Sequence, residues 1–109
     1  MKTPIKTTIY HYQAWLAYQD PAQVTPILEQ LLQNAGYRVV GFTEHHFSPQ
    51  GYTCLWLLAE SHLALHTFPE EGRSYLELSG CSLPCNRSFT RELRKIKELR
   101  ILQENQEGI

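Results

Sequence analysis

Apolar and polar residues along this chain switch between the two-residue period of strands and the 3.6-residue period of helices. Residues 7–18 are dense in β-branched and aromatic side chains (Thr8, Ile9, Tyr10, Tyr12, Trp15) and read as a first strand, which Asp20-Pro21 ends. Ile27, Leu28, Leu31, Leu32 and Ala35 then fall at helical spacing. Two starts compete for this helix. Asp20 as cap leaves Pro26 in the interior, where it removes a backbone hydrogen bond. Thr25 as cap with Pro26 in the first helical position avoids that and is the cleaner start. Gly36 is a natural stop. Residues 37–45 read as a second strand and Ser48-Pro49-Gln50-Gly51 as a turn. Residues 52–59 form a third strand, apolar enough to be covered on both faces. A fourth strand over 61–67, a turn at 69–72 and a fifth strand over 74–79 follow. A second helix runs from Ser88 to about Glu98 with Phe89, Leu93 and Ile96 on one side. A short last strand over 99–103 and a frayed tail complete the chain.

The order strand, helix, four strands, helix, strand predicts an α+β fold, a two-layer sandwich with both helices on one face of a largely antiparallel sheet. The other face also needs cover, so pairing with a second copy is expected. A length of 109 residues suits a single domain, residues 1–109. The apolar share of 42% against 19% charged argues for a globular fold over disorder. A net charge of −1 gives no whole-chain attraction for nucleic acid or an anionic membrane. Arg87, Arg91, Arg94, Lys95, Lys97 and Arg100 do form a basic run. Glu92 and Glu98 interrupt it, and a solvated helix face accounts for it. The longest purely apolar run, residues 54–59, is far too short to span a bilayer, and the segment Met-Lys-Thr-Pro-Ile-Lys lacks the apolar core of a signal peptide. Three cysteines, an odd number, suggest a reduced, cytoplasmic protein without a disulfide framework.

Candidate chemistry concentrates in residues 59–70, Ala-Glu-Ser-His-Leu-Ala-Leu-His-Thr-Phe-Pro-Glu. A Glu60-Ser61 bond falls at a predicted strand boundary, with His62 and His66 just downstream and Cys81 and Cys85 following. Alternation along a strand puts Ser61 and His66 on opposite faces, unless a turn at Glu60-Ser61 brings them together. Pattern alone leaves Ser61 open between a turn residue and a nucleophile, and His66 between a rim histidine and a base. No metal site is expected. Cys81-x-x-x-Cys85 has no matching second pair, and no two histidines stand at helical metal spacing.

The run Glu-Ser-His-Leu-x-x-His-Thr-Phe-Pro-Glu, residues 60–70, resembles the self-cleavage segment of the bacterial S-adenosylmethionine decarboxylase proenzymes. The resemblance is firmest from Glu44 to Cys81. It implies that the chain cuts itself between Glu60 and Ser61 and converts Ser61 into a pyruvoyl cofactor. On that pattern the Ser61 hydroxyl attacks the Glu60 carbonyl, and His66 is the processing base. Thr53 stands where the family has a serine that supports the cyclic intermediate. The pyruvoyl carbonyl then forms a Schiff base with the substrate amine, and Cys81 returns a proton to the substrate. Phe47 matches an aromatic that stacks on adenine, and Glu70 a carboxylate that accepts from ribose hydroxyls. The family's Thr-Cys-Gly is replaced here by Gly80-Cys81-Ser82, and Glu44-His45-His46 also departs from the usual strand end. The resemblance thus implies a homodimeric polyamine-pathway decarboxylase acting on S-adenosylmethionine. The alternatives are a homologous arginine or ornithine decarboxylase, with Glu44 or Glu71 facing the substrate's distal cation, or an inactive regulatory paralogue.

Overall fold

The computed structural model describes residues 4–108. Six strands, β1 (Tyr10–Ala17), β2 (Val39–His46), β3 (Tyr52–Leu58), β4 (Ser61–Phe68), β5 (Arg73–Gly80) and β6 (Ile101–Gly108), form one sheet. Its order is β2-β3-β4-β5-β1-β6, and every neighbouring pair is antiparallel. Helices α1 (Pro21–Asn34) and α2 (Leu83–Lys95) cover one face. This is the expected α+β sandwich.

Strict alternation places Tyr12, Ala14, Leu16, Trp56, Leu58, Leu63, Leu65, Leu76 and Leu78 on the helix side. There they meet Val24, Leu28, Leu31, Leu32, Phe89 and Leu93 in one core. Trp56 also donates its indole N–H to Glu29 of α1 at 3.2 Å. The opposite face carries Trp15, Thr53, Leu55, Leu57, Ala64, His66, Phe68 and Tyr75, and no element of the described residues lies over it. The expectation that β3 is covered on both faces therefore fails within one chain, and Leu57 is half exposed.

Several boundaries differ from the sequence reading, four of them with a bearing on the fold. Helix α1 starts at Pro21, not Pro26, with Asp20 Oδ1 accepting from the Ala22 N–H. The earlier start buries Val24 completely, worth about 1.5–3 kcal/mol, which offsets the roughly 3 kcal/mol of an interior proline. Ala22, whose carbonyl loses the N–H of Pro26, is exposed to water. Helix α2 starts at Leu83 instead of Ser88, because Ser82 Oγ accepts from the Cys85 N–H at 3.3 Å and Pro84 fits the first turn. Strand β1 begins only at Tyr10. The tail is not frayed: β6 pairs along β1, Tyr12 Oη donates to Glu104 at 2.5 Å, and Gln106 donates to Asn86.

Candidate active site

Strands β3 and β4 form a hairpin. Leu58 pairs with Ser61, so Ala59 and Glu60 alone turn the chain. Glu60 sits at φ 63°, a left-handed conformation that costs a residue with a β-carbon roughly 1–2 kcal/mol. Local backbone strain thus lies directly on the amino side of Ser61.

Across the sheet, Ser61 pairs with Gly80 of β5. A β-carbon at Gly80 would stand 2.4 Å from Ser61 Oγ and 3.0 Å from Ser61 Cβ. Glycine is required there by close approach, since it lets the serine side chain lie flat over β5. The next residue, Cys81, places Sγ 3.9 Å from the Glu60 carbonyl oxygen and 3.8 Å from Glu60 Oε2. Ser61 and the Cys81 thiol therefore stand at the same peptide bond. Glu60 and Cys81 face an open cleft of about 620 Å³, lined also by Lys6, Thr8, Ile9 and Tyr10.

A second group assembles elsewhere on the sheet. Thr53 and His66 are cross-strand partners, and Thr53 Oγ1 lies 2.9 Å from His66 Nδ1. Which of the two donates depends on the imidazole tautomer; in the one with hydrogen on Nδ1, the ring donates to the hydroxyl and Nε2 carries the lone pair. The Tyr75 ring stacks beside the imidazole, centroids 6.2 Å apart at 25°. Thr53 and His66 share a cleft of about 280 Å³ with Phe47 and Glu70. Phe47 is 51% exposed and meets His45 edge-on at 4.6 Å. Glu70 lies in the turn after β4 and accepts from Gln50 Nε2 at 3.2 Å.

The seven residues singled out in the sequence thus fall into two clusters: Glu60, Ser61 and Cys81 at the hairpin end, and Phe47, Thr53, His66 and Glu70 further along. Ser61 lies on the helix side of β4 and His66 on the open side, five residues apart. In extended chain that is about 17 Å. The turn at Glu60 comes before Ser61 and does not unite them, so the alternation of the strand prevails. Sequence reasoning noted Gly80 only as a displaced small residue and passed over Tyr37, whose hydroxyl approaches the same point over Gly80 at 3.6 Å.

Other candidates are occupied or inert. Glu44 accepts from Tyr52 Oη at 2.7 Å, and Glu71 pairs with Arg73 at 2.5 Å. Burial pushes the Cys54 thiol up to about 11. All three cysteines are free thiols. Among the described residues, no three His, Cys, Asp or Glu side chains converge as a metal site, and no helix is long and apolar enough to cross a membrane.

A family model described as S-adenosylmethionine decarboxylase matches residues 9–96. The chain belongs to the S-adenosylmethionine decarboxylase family. Among family members, the S-adenosylmethionine decarboxylase proenzyme of Methanococcus aeolicus is 37% identical over 65 residues, covering 60% of this chain and 56% of that one. The proenzyme of the same name from Prochlorococcus marinus MIT 9313 is 39% identical over 62 residues, covering 57% and 50%. The matched regions therefore span about half the length of these curated relatives. The crystal structure of the adenosylmethionine decarboxylase from Aquifex aeolicus superposes with a TM-score of 0.75 over 96% of this chain and 91% of that one, at 21% identity. At that identity the likeness establishes the family fold.

Proposed function

We propose that this chain is a self-processing, pyruvoyl-dependent decarboxylase that converts S-adenosylmethionine to its decarboxylated form for polyamine synthesis. It would act as a single-domain, cytoplasmic protomer of a homodimer. One observation carries this reading: the Glu60–Ser61 bond is presented with Glu60 in a left-handed conformation, Ser61 Oγ laid over Gly80 and the Cys81 thiol 3.9 Å from the scissile carbonyl.

Self-cleavage begins with attack of Ser61 Oγ on the Glu60 carbonyl carbon. The amide nitrogen leaves as an amine and an ester remains. A base removes the Ser61 α-proton, the Cβ–Oγ bond breaks, and its electron pair stays on the new carboxylate of Glu60. The dehydroalanine left at position 61 hydrolyses to the pyruvoyl group with loss of ammonia. The cradle over Gly80 suits this group, because no β-carbon projects from β5 at that point. Once formed, the pyruvoyl supplies a carbonyl that captures the substrate amine and accepts the electron pair left by carbon dioxide. Cys81, beside the hairpin, would return the proton to the substrate α-carbon.

His66 lies too far from the Ser61 of its own chain to take that α-proton. Its cluster faces the uncovered side of the sheet, where Trp15, Leu55, Leu57 and Phe68 also lie. Two copies stacked through these faces would bring His66, Thr53, Phe47 and Glu70 of one to the hairpin end of the other. Phe47 would then stack on adenine, and Glu70 would accept from the ribose. Against a basic amino-acid substrate, Glu44 and Glu71 are already engaged by Tyr52 and Arg73.

Mixing two inactive variants tests the reading. Ser61→Ala and His66→Ala should each stay whole alone. Co-expressed, the His66→Ala chain should be cut by its partner's histidine, while the Ser61→Ala chain remains intact. A mixture in which neither chain is cut would contradict assembly of the site between two copies.

A further inference from the structure

Tyr37 stands outside every role assigned above. Helix α1 ends in a Schellman arrangement: Gly36, at φ 97°, donates to Gln33 O, and Tyr37 N–H reaches back to Leu32 O at 3.0 Å. This fixes the Tyr37 backbone beneath the sheet. The residue is only 8% exposed and its hydroxyl is buried, yet that hydroxyl has no hydrogen-bond partner among the described residues. A buried, unpaired O–H is costly, by more than an ordinary hydrogen bond contributes, and calls for an explanation. The hydroxyl is aimed at the gap over Gly80. A β-carbon there would lie 3.6 Å from Tyr37 Oη and 2.4 Å from Ser61 Oγ, so both oxygens lie close to the same point over Gly80. Burial, with the Cys85 and Cys81 thiols nearby, pushes the phenol far above its ordinary range, so it remains a donor at every working pH.

We infer that Tyr37 is a further catalytic residue of self-cleavage, donating a hydrogen bond to Ser61 Oγ as that oxygen leaves Ser61 Cβ. This rests on the self-processing reading above. In the elimination, the α-proton goes to the base and the Cα–Cβ double bond forms. The Cβ–Oγ pair is left on Oγ, which becomes one oxygen of the Glu60 carboxylate. Negative charge therefore grows on Oγ, the atom that lies with Tyr37 Oη over Gly80. Tyr37 keeps its own proton throughout and stabilises that charge. The attack that precedes elimination places less charge on Oγ, so Tyr37 acts mainly on the second step.

Tyr37→Phe isolates the hydroxyl, since it keeps the ring and removes one oxygen. The full chain should process about ten- to hundred-fold more slowly, the span expected for loss of a hydrogen bond to a charged group. The ester should accumulate, and hydroxylamine should release residues 1–60 as a hydroxamate at Glu60. Its Tm should match or exceed the wild type, because an unpaired buried hydroxyl is gone. A structural role alone would lower Tm without building up ester. If Tyr37→Phe processes at the wild-type rate with no hydroxylamine-sensitive species, the assignment is overturned. A wild type that never cleaves would overturn it together with the self-processing reading, and the wild-type lane of the same experiment separates the two cases.

Discussion

Gly80→Ala puts the geometry of the proposed cleavage site to a quantitative test. The added β-carbon would fall 2.4 Å from Ser61 Oγ and 3.0 Å from Ser61 Cβ, both inside contact distance. Strand β5 cannot retreat, because Gly80 is paired with Ser61 on one side and Tyr10 on the other. The hydroxyl is the part free to move, and it can do so only by rotating about χ1 to another staggered well, a shift of Oγ by about 2 Å. Misplacement of a reacting atom by about 1 Å already costs on the order of 100-fold in rate, so self-cleavage should slow by at least about that factor. The stability cost should be much smaller. Overpacking takes roughly 1–3 kcal/mol, and replacing glycine returns about 0.4–1 kcal/mol through the unfolded chain. A net loss of about 1 kcal/mol lowers Tm by roughly 4–8 °C. Intact-mass time courses well below Tm, beside a thermal melt, separate the two effects. A Gly80→Ala protein that cleaves as fast as wild type would refute the claim that Ser61 Oγ reacts from its position over β5.

Three further outcomes follow from the same structure. Cys81→Ala should still cleave, yet turn over slowly or misprotonate its product; loss of cleavage in this variant, by intact mass, would place the thiol in processing instead. Phe47→Ala and Glu70→Gln should each reduce use of S-adenosylmethionine about ten-fold while leaving cleavage unchanged, as loss of an aromatic stack or a charge-assisted hydrogen bond requires; decarboxylation of arginine or ornithine in preference would overturn the substrate. Burial raises the Cys54 thiol from its ordinary 9.0 to about 11, so its contribution to stability is intact below pH 9 and is lost as pH rises towards 11; denaturant melts across that window should fall less steeply for Cys54→Ala than for wild type.

Much of this molecule is legible in its sequence where one face of an element is apolar. The alternation in β1, β3, β4 and β5 and the helical spacing of Leu28, Leu31 and Leu32 both follow the burial seen in the fold. Misreadings occur where burial is carried by polar groups or by backbone pairing. The first turns of α2 bury only Asn86, so periodicity begins late, although Ser82-Leu83-Pro84 is a readable cap. Strand β6 has no apolar stripe through Gln103, Glu104, Asn105, Gln106 and Glu107. Its place comes from pairing with β1 and from side-chain bonds to Tyr12, Arg94 and Asn86. The site shows the same limit. The Glu60–Ser61 motif and its histidine are contiguous enough to recognise, but Tyr37 and Gly80 meet Ser61 only through tertiary folding. A tyrosine after a helix-ending glycine looks, in sequence, like the start of a strand.

Intact-mass analysis of the purified wild-type protein tests the central claim most directly. Cleavage between Glu60 and Ser61 should yield one chain of residues 1–60 and one of residues 61–109 whose amino terminus is a blocked pyruvoyl group, while Ser61→Ala stays whole. A wild-type chain that remains a single, uncut species after prolonged incubation would contradict the account and leave the inactive regulatory paralogue as the better reading.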